Sequence, residues 1–106
     1  MIVLFENTDL EDLFEGKTNR KTKKIDLILV RKFIKTVKLL SYIESVQKLS
    51  QHDGLNFEAL KGGHKGKYSV RIDSRYRLIL RIENDTILVD RILIIEELTD
   101  HYKRMI

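Results

Sequence analysis

The 106-residue chain contains no cysteine, which removes both a disulfide framework and a thiolate metal site from consideration. It also lacks an apolar run of about 18 residues, the length a membrane-spanning helix needs. The first fifteen residues carry Glu6, Asp9, Glu11, Asp12 and Glu15, the wrong charge for a secretory signal. A cytoplasmic protein without membrane association is therefore expected. His52, His64 and His101 stand far apart with no ligand spacing, so neither a metal site nor a cofactor is expected. No internal repeat or low-complexity segment divides the chain, and its length suits one domain, residues 1–106, around one core.

Charge is what the sequence has in quantity. Charged residues make up 34% of the chain and the formal net charge is +4. That excess identifies no partner by itself, but its distribution is informative. Lys17, Arg20, Lys21, Lys23 and Lys24 form one basic run, which Arg31, Lys32, Lys35 and Lys38 extend. A third group holds Lys61, Lys65, Lys67, Arg71, Arg75 and Arg77. Any one run reads as a solvated face. Three in a small domain point to phosphate contacts, whose affinity comes from counterion release.

Ile2 to Phe5 is a short apolar opening that reads as a strand. Asn7 or Thr8 is placed to cap an acidic helix through Phe14, and Gly16 to end it. Lys17 to Lys24 reads as a mobile polar connection. From about Ile25 to Leu40, the residues Leu29, Phe33, Val37 and Leu40 recur at helical spacing, with Ile25, Val30 and Ile34 beside them. Ser41 is placed to cap a second short helix that turns Tyr42, Ile43, Val46 and Leu49 inward. After Gly54 the period changes to two: Tyr68, Val70 and Ile72, then Tyr76, Leu78 and Leu80, with a tight turn at Asp73-Ser74-Arg75. Ile87 to Ile95 follows as a largely buried strand. Two to three N-terminal helices packed on an antiparallel sheet give an α+β domain.

Within this frame several residues carry more than one meaning. Glu58 alone reads as a surface carboxylate, and Arg77 as a solvent-facing strand arginine on the face opposite Tyr76. Arg71 and Asp73 are spaced to form a charge pair. Tyr68 and Tyr76 suit cross-strand packing. Gly62, Gly63 and Gly66 among Lys61, Lys65 and Lys67 do not make a phosphate-binding P-loop, since the motif's glycine spacing, its Ser or Thr after the lysine and the following helix are all missing. They form a basic loop suited to RNA, or simply a flexible connection.

The string Leu60-Lys61-Gly62, Tyr68-Ser69-Val70-Arg71-Ile72 and Tyr76-Arg77-Leu78, together with the tail Asp100-His101-Tyr102, resembles the RelE/ParE superfamily of toxins from type II toxin–antitoxin pairs. Leu60 to Ser69 looks most like HigB-type toxins, the plasmid-maintenance killer proteins. The terminal His-Tyr pair is similar to YoeB-type members, and the likeness is clearest over residues 57 to 102. HigB toxins commonly have a histidine at the place of Glu58 and end in Asp-Tyr-His, so the YoeB-like mapping is the consistent one here.

The resemblance implies a RelE-like microbial RNase fold and a ribosome-dependent mRNA endoribonuclease. An antitoxin, often with a helix-turn-helix domain, would hold it inactive, and its other partners would be the ribosome and mRNA. In that mapping Glu58 is the general base, Arg77 stabilises the scissile phosphate, His101 is the acid, and Tyr102 stacks or contacts phosphate. Lys61, Lys65, Lys67, Arg71 and Asp100 fall at RNA-facing positions. Such cleavage needs one base, one acid and fixed cations. Arginine suits the phosphate because its planar fork makes two parallel bonds and keeps its charge. A different class of function, ParE-like inhibition of DNA gyrase by binding, is open to the same sheet.

Overall fold

In a computed structural model, the apolar periodicities resolve into three helices and one mixed sheet; the structure describes residues 1–60, 66–95 and 102–104. Strand β1 (Ile2–Phe5) leads into helix α1 (Thr8–Phe14). The Asn7 side chain caps α1 by accepting from the Asp9 and Leu10 amides. Asp9 and Glu11 then meet the positive end of the helix dipole. Gly16 ends the helix at φ +80°, a left-handed conformation that a side chain would strain.

Helix α2 spans Leu27–Tyr42 and is capped by Asp26, whose carboxylate accepts from the Ile28 amide. Its stripe of Leu29, Phe33, Val37 and Leu40 is buried, as the spacing requires. The opposite face carries Arg31, Lys32, Lys35 and Lys38, all exposed. Helix α3 (Val46–Ser50) follows, then a single 3₁₀ turn at Asp53–Leu55.

The remaining strands are β2 (Glu58–Ala59), β3 (Lys67–Arg71), β4 (Tyr76–Glu83), β5 (Thr86–Ile95) and β6 (Tyr102–Arg104). They run β1-β5-β4-β3-β2, with β6 also paired to β5. From β2 to β5 the sheet is an antiparallel meander, but β1 lies parallel to β5. Strand β5 is long enough to hold both neighbours on one edge: β1 covers Thr86 to Val89, and β6 covers Leu93 to Ile95. Leu10, Leu13, Phe33, Val37 and Leu40 pack on Val70, Leu78, Leu80, Ile87, Val89 and Ile92 to form the core. All the helix residues of that core thus meet one sheet face, and the other face is left for the site.

Three local expectations are corrected. Ser45, not Ser41, caps the short helix, its hydroxyl accepting from the Lys48 amide. Helix α2 runs on through Ser41, and Tyr42 stands 83% exposed instead of in the core. The Lys17 to Lys24 stretch is held by short-range bonds: Asn19 Oδ1 accepts from the Lys21 and Thr22 amides, and Thr22 is buried. A polar composition concealed that internal bonding.

Candidate functional site

The sheet face away from the helices takes its residues from the strand alternation that fills the core on the other side. On β4 the helix-facing residues are Tyr76, Leu78 and Leu80, so Arg77 and Ile79 project the other way. Register then fixes their neighbours. Arg71 lies opposite Arg77, Ser69 opposite Ile79, and Glu58 opposite Ser69. Glu58, Ser69, Arg71 and Arg77 therefore share one face across β2, β3 and β4. Glu58 and Arg71 are exposed, whereas Ser69 is fully buried and Arg77 is only 3% exposed.

That burial revises the reading of Arg77 as a solvent-facing strand arginine. Its Nε donates to Ser69 Oγ at 2.8 Å, and its Nη2 donates to the Ser69 carbonyl at 3.3 Å and to the Asn56 carbonyl. Asn56 sits in the left-handed region at φ 45°, which Asn tolerates better than most residues. Two residues later comes Glu58. The guanidinium thus reaches across β3 to fasten the backbone just ahead of the candidate base. A buried cation needs such partners, since an unpaired one would cost several kcal/mol.

Asx geometry shapes the β3–β4 turn: Asp73 Oδ1 accepts from the Arg75 amide at 2.8 Å and the Tyr76 amide at 2.9 Å. The expected Arg71–Asp73 charge pair is not the contact formed. Arg71 Nε donates instead to the Asp73 carbonyl, and the carboxylate faces Lys32 at 3.8 Å. Tyr68 packs as foreseen, its ring stacked on Phe57 at 5.1 Å.

A second polar group occupies the same face near the other end of β3. Lys67 Nζ donates to Asp90 Oδ2 at 2.8 Å, and Arg91 Nε lies 3.3 Å from Asp90 Oδ1. Asp90 is the extra residue where the β4–β5 register shifts, a bulge that turns its carboxylate toward both cations. Burial by itself would push the Asp90 carboxyl up, but Lys67 and Arg91 outweigh it and hold the group below its ordinary value. Lys67, expected to face RNA, is thus engaged by a carboxylate.

Tyr102 pairs in register with Ile95 on β6. Between it and Glu58 stand β5, β4 and β3, a separation of roughly 19 Å across four strand spacings of a flat sheet. Lys61, Lys65, Asp100 and His101 lie outside the described residues, as does His64. The structure therefore brings Glu58, Arg71 and Arg77 together and sets the Tyr102 backbone apart from them. Among the described residues no group of three or more His, Cys, Asp or Glu side chains could hold a metal ion. No helix there is long and apolar enough to cross a membrane.

Asn56 and Asp90 were not singled out by sequence, and Ser69 stood only as part of the motif string, with no role given to it. Asp90 left a trace, because Asp90-Arg91 puts two polar residues in succession into an otherwise apolar strand, which is how a bulge breaks alternation.

The family model described as a RelE-like toxin of type II toxin–antitoxin system HigB matches residues 4–93. No curated protein matches the chain. Among solved structures, a YoeB/ParE toxin from Agrobacterium tumefaciens is 19% identical, with a TM-score of 0.53 over 87% of this chain and 95% of its own. The toxin–antitoxin heterotetramer YoeB–YefM from Staphylococcus aureus is 22% identical, with a TM-score of 0.55 over 85% of this chain and 91% of the matched chain. At these identities the structural matches establish the fold.

Proposed function

This chain belongs to the HigB-like family of RelE-like toxins of type II toxin–antitoxin systems, and from that premise we propose that it is a ribosome-dependent mRNA endoribonuclease. The observation that carries the reading is the exposed carboxylate of Glu58 on one sheet face with Arg71 and Arg77. Glu58 takes the proton of a ribose 2′-hydroxyl, and that oxygen bonds to the adjacent phosphorus. The bond from phosphorus to the 5′-oxygen breaks, and His101 supplies the proton that the departing oxygen needs. The products are a 5′-hydroxyl and a 2′,3′-cyclic phosphate, and no metal is required by this proton balance.

Arg71, exposed beside Arg77, offers the phosphate its guanidinium. Arg77 contributes as a positioning residue, through its hold on Asn56 and Ser69. His101 and Tyr102 keep the roles the sequence likeness gives them. An antitoxin is the proposed partner in the cell; the S. aureus structure is titled as a toxin–antitoxin complex. Purified protein added to translating ribosomes should cut mRNA, and Glu58→Gln and His101→Gln should each abolish cutting while leaving the circular dichroism spectrum unchanged. Intact transcripts at every dose of the unsubstituted chain would overturn the assignment.

One observation favours a second reading. Three strands stand between Glu58 and the backbone of Tyr102, so a partner spread across the sheet meets both, which suits a toxin that acts by binding. Inhibition of DNA gyrase is the form it would take. Loss of supercoiling activity in a gyrase assay, without RNA cleavage, would select it.

A further inference from the structure

Bordering the sheet face just described at Arg71, a cavity of about 330 Å³ opens between α2, the 3₁₀ turn and the β3–β4 turn. Its floor is apolar: Leu55 is buried there, with Leu39 and Ile72 beside it. Its rim is cationic. Lys32 and Lys35 come from one side of α2, and Arg71 from the end of β3. Among the described lining residues the one carboxylate is Asp73, already opposite Lys32 at 3.8 Å. Thr36 offers little to a ligand, because its hydroxyl donates to the Lys32 carbonyl.

His52 stands at the mouth. A Cβ on Gly54 would lie 3.4 Å from its Cε1, so the imidazole lies against the bare backbone of the glycine. The residue is exposed and lines the same cavity as Leu39, Leu55 and Ile72, and an imidazole there is a surface on which a planar base can stack. Helix α2 extends the charge, since Leu27 to Tyr42 contains four basic residues and no acidic one. Phosphates leading out of the cavity in either direction along the helix would meet Arg31 or Lys38.

We infer that this cavity is a nucleotide subsite, taking one unpaired nucleoside phosphate with its base on the apolar floor against His52 and its phosphate between Lys35 and Arg71. The volume lies at the low end of small-ligand pockets, which suits one nucleotide. Lys32, Lys35 and Arg71 supply the complementary charge. The ligand is either a free nucleotide or one residue of a single-stranded RNA, and the two share this chemistry. Arg71 joins the cavity to the sheet face, because it lines one and lies in register with Arg77 on the other. A strand seated in the cavity would thus be led toward Glu58. Nucleotide binding here does not depend on cleavage there, so a chain inactive on mRNA could still bear out this inference.

Titration of the full chain with adenosine 5′-monophosphate, inorganic phosphate, adenosine and an RNA hexamer, followed by amide chemical shifts, tests it. The monophosphate should shift amides of Lys35, His52, Leu55 and Ile72, and bind at least tenfold tighter than phosphate or adenosine alone. Lys35→Glu and His52→Ala should each weaken it at least fivefold. A hexamer binding much tighter than the monophosphate identifies RNA as the source; equal affinity identifies a free nucleotide. Equal binding of phosphate and monophosphate, or affinity unchanged in both variants, would overturn the inference. So would displacement of the monophosphate from these amides by an acidic peptide at lower concentration, which would make the cavity a protein-docking site.

Discussion

Arg77 and Asn56 are 21 positions apart in the chain, yet the guanidinium of one donates to the backbone carbonyl of the other. The contact joins the third strand of the meander to the segment that carries Glu58. If Glu58 is the base proposed above, the precision with which that segment is held decides how well it removes a proton, and Arg77 bears on it through the backbone.

Replacing Arg77 with methionine should cost about 2–4 kcal/mol of folding stability, because the Ser69 hydroxyl and the Asn56 carbonyl lose their partner in a dry place. Urea denaturation reads this directly. Arg77→Lys should recover only part of the loss, since one ammonium cannot reproduce the fork that reaches Ser69 and Asn56 together. An unchanged denaturation midpoint would show that the network is not structural.

Asn56 should respond to substitution through its backbone. At φ 45°, Asn56→Ala is expected to lose about 1 kcal/mol, whereas Asn56→Gly should come close to neutral. Since the side chain of Asn56 donates and accepts nothing in the Arg77 contact, which uses the carbonyl, the pair of variants separates strain from bonding.

Glu58 is exposed, so Glu58→Gln should leave the denaturation midpoint within about 0.5 kcal/mol. Cleavage of ribosome-bound mRNA should nonetheless fall by roughly 10²–10⁴, the usual contribution of a general base. Full activity in the variant would remove Glu58 from the chemistry.

Asp90 makes the fold sensitive to acid. Its carboxyl is held below the ordinary value of 3.8 in the folded state, so the unfolded chain binds the proton more readily. The stabilisation is therefore complete above that ordinary value and is lost as pH falls through the lower folded one. Asp90→Asn should cost on the order of 1 kcal/mol at pH 7, and the gap from the unsubstituted chain should close below that window. Denaturation curves at pH 7 and in strong acid, compared between the two chains, check the sign.

Phe33 lies at 0% exposure where α2 meets the sheet. Phe33→Ala should lose about 3–5 kcal/mol through lost transfer energy and the cavity left behind. Thermal melting should show the change as a large fall in midpoint, and a small one would mean that the neighbouring side chains close the gap.

How much of this was legible depended on the range of the interaction. The Leu29, Phe33, Val37 and Leu40 stripe, the Asn7 cap and the Asp73 turn are local patterns, and each stands where the sequence puts it. The strand alternation also set Arg77 on the face opposite Tyr76. What it did not convey is that this face is itself covered at Ser69, Ile79 and Arg77, because alternation names a side of the sheet and not what lies over it. The β1–β5 pairing was hidden for a similar reason: strands more than 80 residues apart reveal no register until both are placed. The family likeness picked out Glu58 and Arg77 from motif residues, without the Asn56 and Ser69 contacts that give Arg77 its place.

The amino-acid order by itself determined the first two helices, the period of the strands and the toxin family, since each rests on spacing within a few turns or on short strings of residues. Tertiary structure decided that β1 runs parallel to β5, that Asp90 bulges between two cations, and that Arg77 is spent on the backbone at Asn56. Those outcomes depend on which distant groups are left unpaired once water is excluded, and only the assembled chain sets that.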